Sequence, residues 1–256
     1  MKPGKVFNAA TLASEDITMR GQGQCFNLIK SNTYAEPMTA TEIHLTGNAS
    51  PKGSKDCDTL IYVRSGSASL EIIGSDDENS VKVEAGSAVH IRSGENFFWA
   101  NGNDLKALEV SIPVTGPFAR KQSSPTDVFQ RHVKQGASNK GTATGSREFE
   151  VLFDATNGSA HATMFVGFIP PSGAPAHYHL YDEICHIVKG GGELHVGERI
   201  QELAPGSTFI VAPRLLHALV NNRDEDLCLL GIFRPQGSPA AAYYPDGKPA
   251  PGYIES

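Results

Sequence analysis

Four residues in the second half of the chain could do chemistry together: His177, His179 and Glu183 in HYHLYDEICHIVKG, and His217 in LLHALV. His177 and His179 stand two apart, so on a strand both side chains project from one face, and Glu183 keeps that parity four residues on. His217 comes from a separate segment, and the fold must carry it alongside the others. Three neutral imidazoles and one carboxylate form an N/O donor set for one divalent transition metal. Iron or manganese suits it first; zinc or nickel also fits. Positions left open by the protein would take water or substrate. A His-x-His-x3-Glu pattern arises by chance in roughly one or two chains per hundred of this length, so the downstream His217 adds much of its force. The alternative is a cluster of solvated polar residues in a loop.

Neighbouring residues divide by parity. Tyr181 shares the face of the proposed ligands and is the candidate catalytic group, a hydrogen-bond donor to substrate, with simple packing as the alternative. Cys185 follows on the same face and reads as a small apolar core residue. His186 and His195 fall on the opposite face, as surface or second-layer groups. Arg214 alternates out of phase with His217, which disfavours contact with substrate.

The elements that must hold these residues are strands. Short apolar runs (ATMFVGFI, ICHIV, GELHV, STFIVA, LCLLGIF) are separated by GG, PG and NNRDED, and no long stretch has the apolar period of an amphipathic helix. Such a series of strands and turns makes a β-sandwich or barrel. An internal repeat sharpens this. DTLIYVRSG (58–66) pairs with DEICHIVKG (182–190), and AGSAVHIRSGENFFWAN (85–101) pairs with PGSTFIVAPRLLHALVN (205–221). The two registers differ by four residues, absorbed by the longer loop GSDDENS of the first copy. Two copies of one unit therefore divide the chain. Residues 1–115 form the N-terminal unit, 116–145 a Gly/Ser/Thr/Lys-rich linker with one short helical turn at 127–134, 146–235 the C-terminal unit, and 236–256 an extended tail. Tyr243 and Tyr244 are expected to anchor that tail to the surface; packing over a barrel mouth is the alternative.

The His177 stretch resembles the first motif of the cupin family, His-x-His-x3-Glu-x6-Gly, with Gly190 closing it. Gly206, His217 and Asn221 match the Gly, His and Asn of the second motif. Gly173, Pro213 and Arg214 depart from the family pattern, and they concern the rim rather than the ligands. The resemblance implies an all-β fold of two fused cupin (jelly-roll, or double-stranded β-helix) barrels, a bicupin, with one divalent metal in the C-terminal barrel. In the first copy the ligand positions hold Gly53, Lys55, Thr59 and Phe97, which cannot bind a metal. That barrel reads as a structural partner with a packed core, a pocket lined by Phe97, Phe98 and Trp99 being the alternative. Asn101 is expected to cap a turn rather than bind metal. Cupins of this ligand set include dioxygenases, decarboxylases, isomerases and hydrolases, so the fold does not choose the chemistry. The resemblance favours a dioxygenase acting on a small oxygenated compound. The alternatives are a non-redox isomerase, lyase or amidohydrolase, and a cupin that binds a small ligand without turnover.

Composition excludes other classes. The 256 residues carry a formal charge of −6, with Lys and Arg scattered, so no basic surface for nucleic acid is expected. Apolar runs fall far short of a membrane span, and the opening MKPGKVFNAATLASEDITM has no apolar signal core. Cys25, Cys57, Cys185 and Cys228 are widely spaced and read as reduced thiols of a cytoplasmic protein. The expected partners are a small-molecule substrate and further copies of the chain in a homo-oligomer.

Overall fold

The computed structural model describes residues 3–30, 38–74, 79–115, 128–143 and 146–250. They form two compact units, each a β-barrel of the jelly-roll kind. The first comprises Ala9–Ala137 and Thr156–His161; the second comprises Met1–Asn8, Ser138–Ala155 and Ala162–Ser256. The only helices among the described residues are three-residue 3-10 turns, and none is long and apolar enough to cross a membrane. All four cysteines are free.

The first unit holds β1 (Ile17–Arg20), β2 (Gly23–Ile29), β3 (Thr39–Gly47), β4 (Lys52–Gly53), β5 (Cys57–Ile73), β6 (Ser80–Glu84), β7 (Ser87–Ile91), β8 (Asn96–Pro113) and β9 (His132–Lys134). They join in one antiparallel sheet of order β1-β2-β3-β8-β5-β7-β9, with β4 on β8 and β6 on β5. The helical turn expected at 127–134 is a correction. His132–Lys134 is strand β9 beside β7, because buried Val133 faces inward between half-exposed neighbours; residue 127 lies outside the described residues.

The second unit holds β10 (Gly141–Thr142), β11 (Glu148–Phe153), β12 (Thr163–Ile169), β13 (Ala174–His177), β14 (Asp182–Lys189), β15 (Gly192–Val196), β16 (Arg199–Leu203), β17 (Thr208–Val211), β18 (His217–Val220) and β19 (Leu227–Arg234). Six form the sheet β10-β11-β12-β19-β14-β17 and four the sheet β13-β18-β15-β16. The edge strand β17 is covered by the N-terminal arm: Phe7 N–H donates to Thr208 O at 2.8 Å, Thr208 N–H to Phe7 O at 2.7 Å, and Gly4 N–H to Ile210 O at 2.7 Å. Val6 packs on the core behind this strand. An unpaired edge is thereby closed by residues far away in sequence.

The sequence repeat is a repeat of geometry. Gly66 and Gly190 both take positive φ (74° and 75°), Gly66 at an irregularity within β5 and Gly190 just after β14. An added Cβ would strike the Asp104 carbonyl oxygen at 2.3 Å in one unit and the Asp226 carbonyl oxygen at 2.6 Å in the other. Gly86 N–H donates to Val63 O and Gly206 N–H to Ile187 O, each at 2.8 Å, and the serine after each glycine caps the same turn. Asn221 caps a turn, its amide donating to Ile169 O and Glu225 O, whereas at Asn101 the backbone N–H donates to Asn48 Oδ1.

The interiors differ. Phe97 and Trp99 are fully buried in the core of the first unit, as the packed-core reading expects. Beside them Glu109 takes two bonds from Arg20 (2.5 and 3.0 Å), one from Lys52 (3.0 Å) and one from Trp99 Nε1 (2.8 Å). Lys52 and Arg20 hold the Glu109 carboxyl down at about 2 against the pull of its complete burial. Glu109 pairs with Thr41 across β3 and β8, as Gly231 pairs with Phe165 across β12 and β19. A charged cluster thus fills a position that the second unit leaves to glycine.

Candidate metal centre

Strand pairing brings the four predicted residues together. His177 ends β13 directly opposite His217, which opens β18, and their ring centroids lie 4.4 Å apart. His179 follows two residues on, its ring 5.2 Å from His217 and 6.4 Å from His177. Its carbonyl accepts from Arg214 N–H at 2.8 Å, which ties the two histidine-bearing loops together. Glu183 sits on β14 between Val211 of β17 and Phe233 of β19, and its Oε2 lies 3.0 Å from His179 Nε2. All four side chains line one cavity and are nearly inaccessible from outside. Gly231 on β19 leaves room for the carboxylate, since a Cβ there would stand 2.5 Å from Glu183 Oε1.

The three imidazoles share one hydrogen-bond pattern. Nδ1 of His177 donates to Pro175 O (2.7 Å), that of His179 to Tyr181 O (2.8 Å) and that of His217 to Leu215 O (2.9 Å). A carbonyl can only accept, so Nδ1 carries the proton in each ring and Nε2 keeps its lone pair. Burial holds His177 down to about 4 despite its bond to Pro175, and burial with His177 and His179 nearby pushes His217 well below the usual range. Both rings are neutral at neutral pH. His179 Nε2 is buried without a hydrogen-bond partner: with the proton on Nδ1 it has none to donate to Glu183 Oε2, 3.0 Å away. A buried nitrogen lone pair without a donor is costly, and a cation is the partner that such nitrogens beside a carboxylate accept. As placed, no three His, Cys, Asp or Glu side chains among the described residues are close enough to hold an ion. Two imidazoles sharing an ion at about 2.1 Å have centroids roughly 4.5–5.5 Å apart, so the His177–His179 separation would have to close by about an ångström.

Apart from the four candidate ligands, Tyr181 and Cys185, the lining is apolar except for Arg147 and Glu148. Phe165, Ile169, Phe209, Leu219 and Leu229 form the floor and walls of a cavity with about 60 Å³ of free space. Arg147, just before β11, also lines it. Burial opposes the Arg147 charge, while Tyr181, Tyr244 and Glu183 support it. This residue was not singled out from the sequence, because it adjoined an apparent linker and belonged to no histidine motif; its one signal is that it immediately precedes the strand EFEVLF. Arg214 is exposed and does not line the cavity, as its phase predicted.

Tyr181 lines the cavity, its ring stacked between His179 (centroids 4.1 Å, planes at 12°) and Phe233 (4.0 Å, 21°). Burial and the Glu183 carboxylate raise its hydroxyl well above the usual range, so it keeps its proton. Cys185 is buried beside Glu183, and burial with that carboxylate raises its thiol likewise. His186 is buried in a second layer with Nδ1 2.8 Å from Thr208 Oγ1, and His195 meets Glu193 nearer the surface. The tail departs from expectation. Tyr243 does stack on Tyr178, but the segment before it turns inward, and Pro239, Ala240 and Ala242 line the cavity.

A family model described as "Cupin domain" matches residues 164–233, the span carrying all four candidate ligands. Among solved structures, Bacillus subtilis oxalate decarboxylase in a variant form superposes with a TM-score of 0.71 at 13% identity, covering 96% of this chain and 80% of that one. Vicilin from hazelnut (Corylus avellana) gives a TM-score of 0.66 at 12% identity, covering 96% and 90%. Residues 164–233 are a cupin domain, and the chain as a whole has the fold of a bicupin. At those identities the superpositions show the fold of the bicupin alone. By sequence the bicupin is also similar to seed proteins. It is 29% identical to soybean (Glycine max) beta-conglycinin alpha subunit 1 over 112 residues, 40% of this chain and 18% of that one. It is 29% identical to pea (Pisum sativum) provicilin over 96 residues, 33% and 23% respectively. The matches span about a fifth of the length of these relatives.

Proposed function

We propose that the second unit is a metal-dependent enzyme site for a small carboxylate. His177, His179, Glu183 and His217 would hold one divalent transition metal, and the first unit would hold none. The observation that carries this is the shared pattern of the three imidazoles, each with Nδ1 committed to a backbone carbonyl and Nε2 left for the cavity. The Cys185 thiol keeps its proton and does not compete.

A bound divalent ion would supply Lewis acidity toward substrate oxygens and, if redox-capable, a route for electrons. The chain's own groups supply the rest. Arg147 presents a guanidinium suited to holding a carboxylate by paired hydrogen bonds. Tyr181 keeps His179 in plane by stacking and offers a protonated hydroxyl as donor. The apolar walls exclude water. Free space of about 60 Å³ compares with roughly 10–15 Å³ needed for one water, so it has room for about four to six water-sized atoms, the ion included, and any occupant is small. That size supports cleavage of a small acid over oxygenation of a ring compound of catechol or flavonol size. Oxalate decarboxylase, whose fold the chain shares, is named for an acid of this size. Turnover of such an acid under strict anaerobiosis separates a lyase from the dioxygenase that the motif resemblance favoured.

Calorimetric titration of the manganese-loaded protein with oxalate, acetate and succinate tests the reading. Oxalate or acetate is expected to bind, and Arg147→Ala to weaken that binding at least tenfold with metal content unchanged. Undiminished affinity in the variant would remove Arg147 from the site; no binding of any of the three acids would remove the small-carboxylate reading. A second reading, a storage protein without turnover, is favoured by the conglycinin and provicilin matches. It predicts that neither acid binds.

A further inference from the structure

We propose that the segment Gly237–Ala250 is the size filter of the second unit's cavity, a strap fastened at two points whose small side chains decide what reaches the imidazoles. This rests on the reading of the cavity as a ligand site. The first fastening is at Gly237: its N–H donates to Thr163 Oγ1 at 3.0 Å, and the Thr163 hydroxyl donates back to Gly237 O at 3.1 Å. The second is at Tyr243, which exchanges two backbone hydrogen bonds with Tyr178 (2.8 and 2.9 Å) while the two rings stack 5.4 Å apart.

Between these points run Pro239, Ala240 and Ala242, all on the cavity wall, with Ala240 and Ala242 buried. Beyond Tyr243 the chain doubles back. Tyr244 N–H donates to Lys248 O and Ala250 N–H to Ala242 O, both at 2.9 Å, so the strap is braced by its own hairpin. Alanine is the smallest side chain that still closes a wall, and any larger residue at 240 or 242 would project into about 60 Å³ of free space. The second fastening falls on Tyr178, between two candidate ligands, so releasing the strap also frees the loop carrying His177 and His179. A filter built this way admits small acids and must lift at Tyr243 to admit anything wider.

Cys185 provides a readout that depends on neither metal nor substrate, because its thiol lines the same cavity and is buried. In the full chain carrying Cys25→Ser, Cys57→Ser and Cys228→Ser, which leaves Cys185 as the one thiol, and freed of metal by chelator, thiol labelling is followed at fixed pH. One reagent is small (methyl methanethiosulfonate) and one is a bulky aromatic disulfide. Tyr243→Ala is expected to raise the rate of bulky labelling at Cys185 at least tenfold and small labelling less. Ala242→Trp is expected to slow both at least tenfold. Circular dichroism reports whether each variant is folded, and the tryptophan variant keeps the test intact should Tyr243→Ala unfold. Rates within twofold of the unaltered strap in the folded variants would overturn the filter. The metal and acid titrations stand or fall separately.

Discussion

Exchanging His217 for alanine is expected to strip the second unit of its divalent ion while leaving its fold in place. Loss of groups that merely orient metal ligands costs roughly 10–100-fold in affinity, and loss of a ligand should exceed that. The fold should survive because the imidazole makes one local bond, to a carbonyl two residues away, while β18 is held by its backbone pairing with β13 and β15. Elemental analysis after dialysis, with a thermal melt by circular dichroism, measures both quantities. Full retention of the ion by the variant would take His217 out of the site.

Glu109→Gln should destabilise the first unit by about 3–5 kcal/mol, the range for breaking a buried ion pair and leaving its partners charged. The variant keeps the volume of the side chain but leaves Arg20 and Lys52 facing a neutral amide. The chain's one tryptophan, Trp99, donates to Glu109, so its fluorescence during urea unfolding reports on this unit. The wild type carries a pH signature from the same residue. The Glu109 carboxyl is held at about 2 in the folded chain against its usual 4.5. A carboxyl with a lowered folded value adds stability that is fully present above about pH 4.5 and is lost as pH falls toward 2. At about 1.4 kcal/mol per pH unit, this is of order 3 kcal/mol. The Glu95 carboxyl, also held at about 2 where it meets Arg131 and Arg92, acts in the same direction. Urea midpoints that match for Glu109→Gln and wild type at pH 7 would show that the cluster contributes nothing.

Much of this was legible in the sequence because it is local. The His-x-His-x3-Glu spacing named three residues that do meet, but strand parity is not what brings them together: His177 ends β13 of one sheet, His179 lies in the connection, and Glu183 is on β14 of the other sheet. Matched glycines announced the repeat in which His217 lies. Gly66 and Gly190 repeat because the same backbone approach forbids a Cβ in both units. What stayed hidden depends on residues far apart in the chain. Arg147 reaches the cavity from the edge of β11, Ala240 and Ala242 from a segment whose composition reads only as a tail, and Phe7 covers β17 across about two hundred residues. No motif encodes such contacts. Glu109 was invisible for another reason: it lies in an apolar strand, and its partners Arg20 and Lys52 come from β1 and β4. The expected linker turn failed because the alternation of buried Val133 in a three-residue strand is too brief to register as a period.

The second unit is expected to hold one metal per chain on four named side chains. Elemental analysis of protein purified without added metal, coupled to anomalous diffraction at the absorption edge of the ion found, tests it most directly. The expected result is close to one equivalent, with a single anomalous peak among His177, His179, Glu183 and His217. Two equivalents with a peak near Phe97 and Thr59, or a peak away from the three imidazoles, would contradict it.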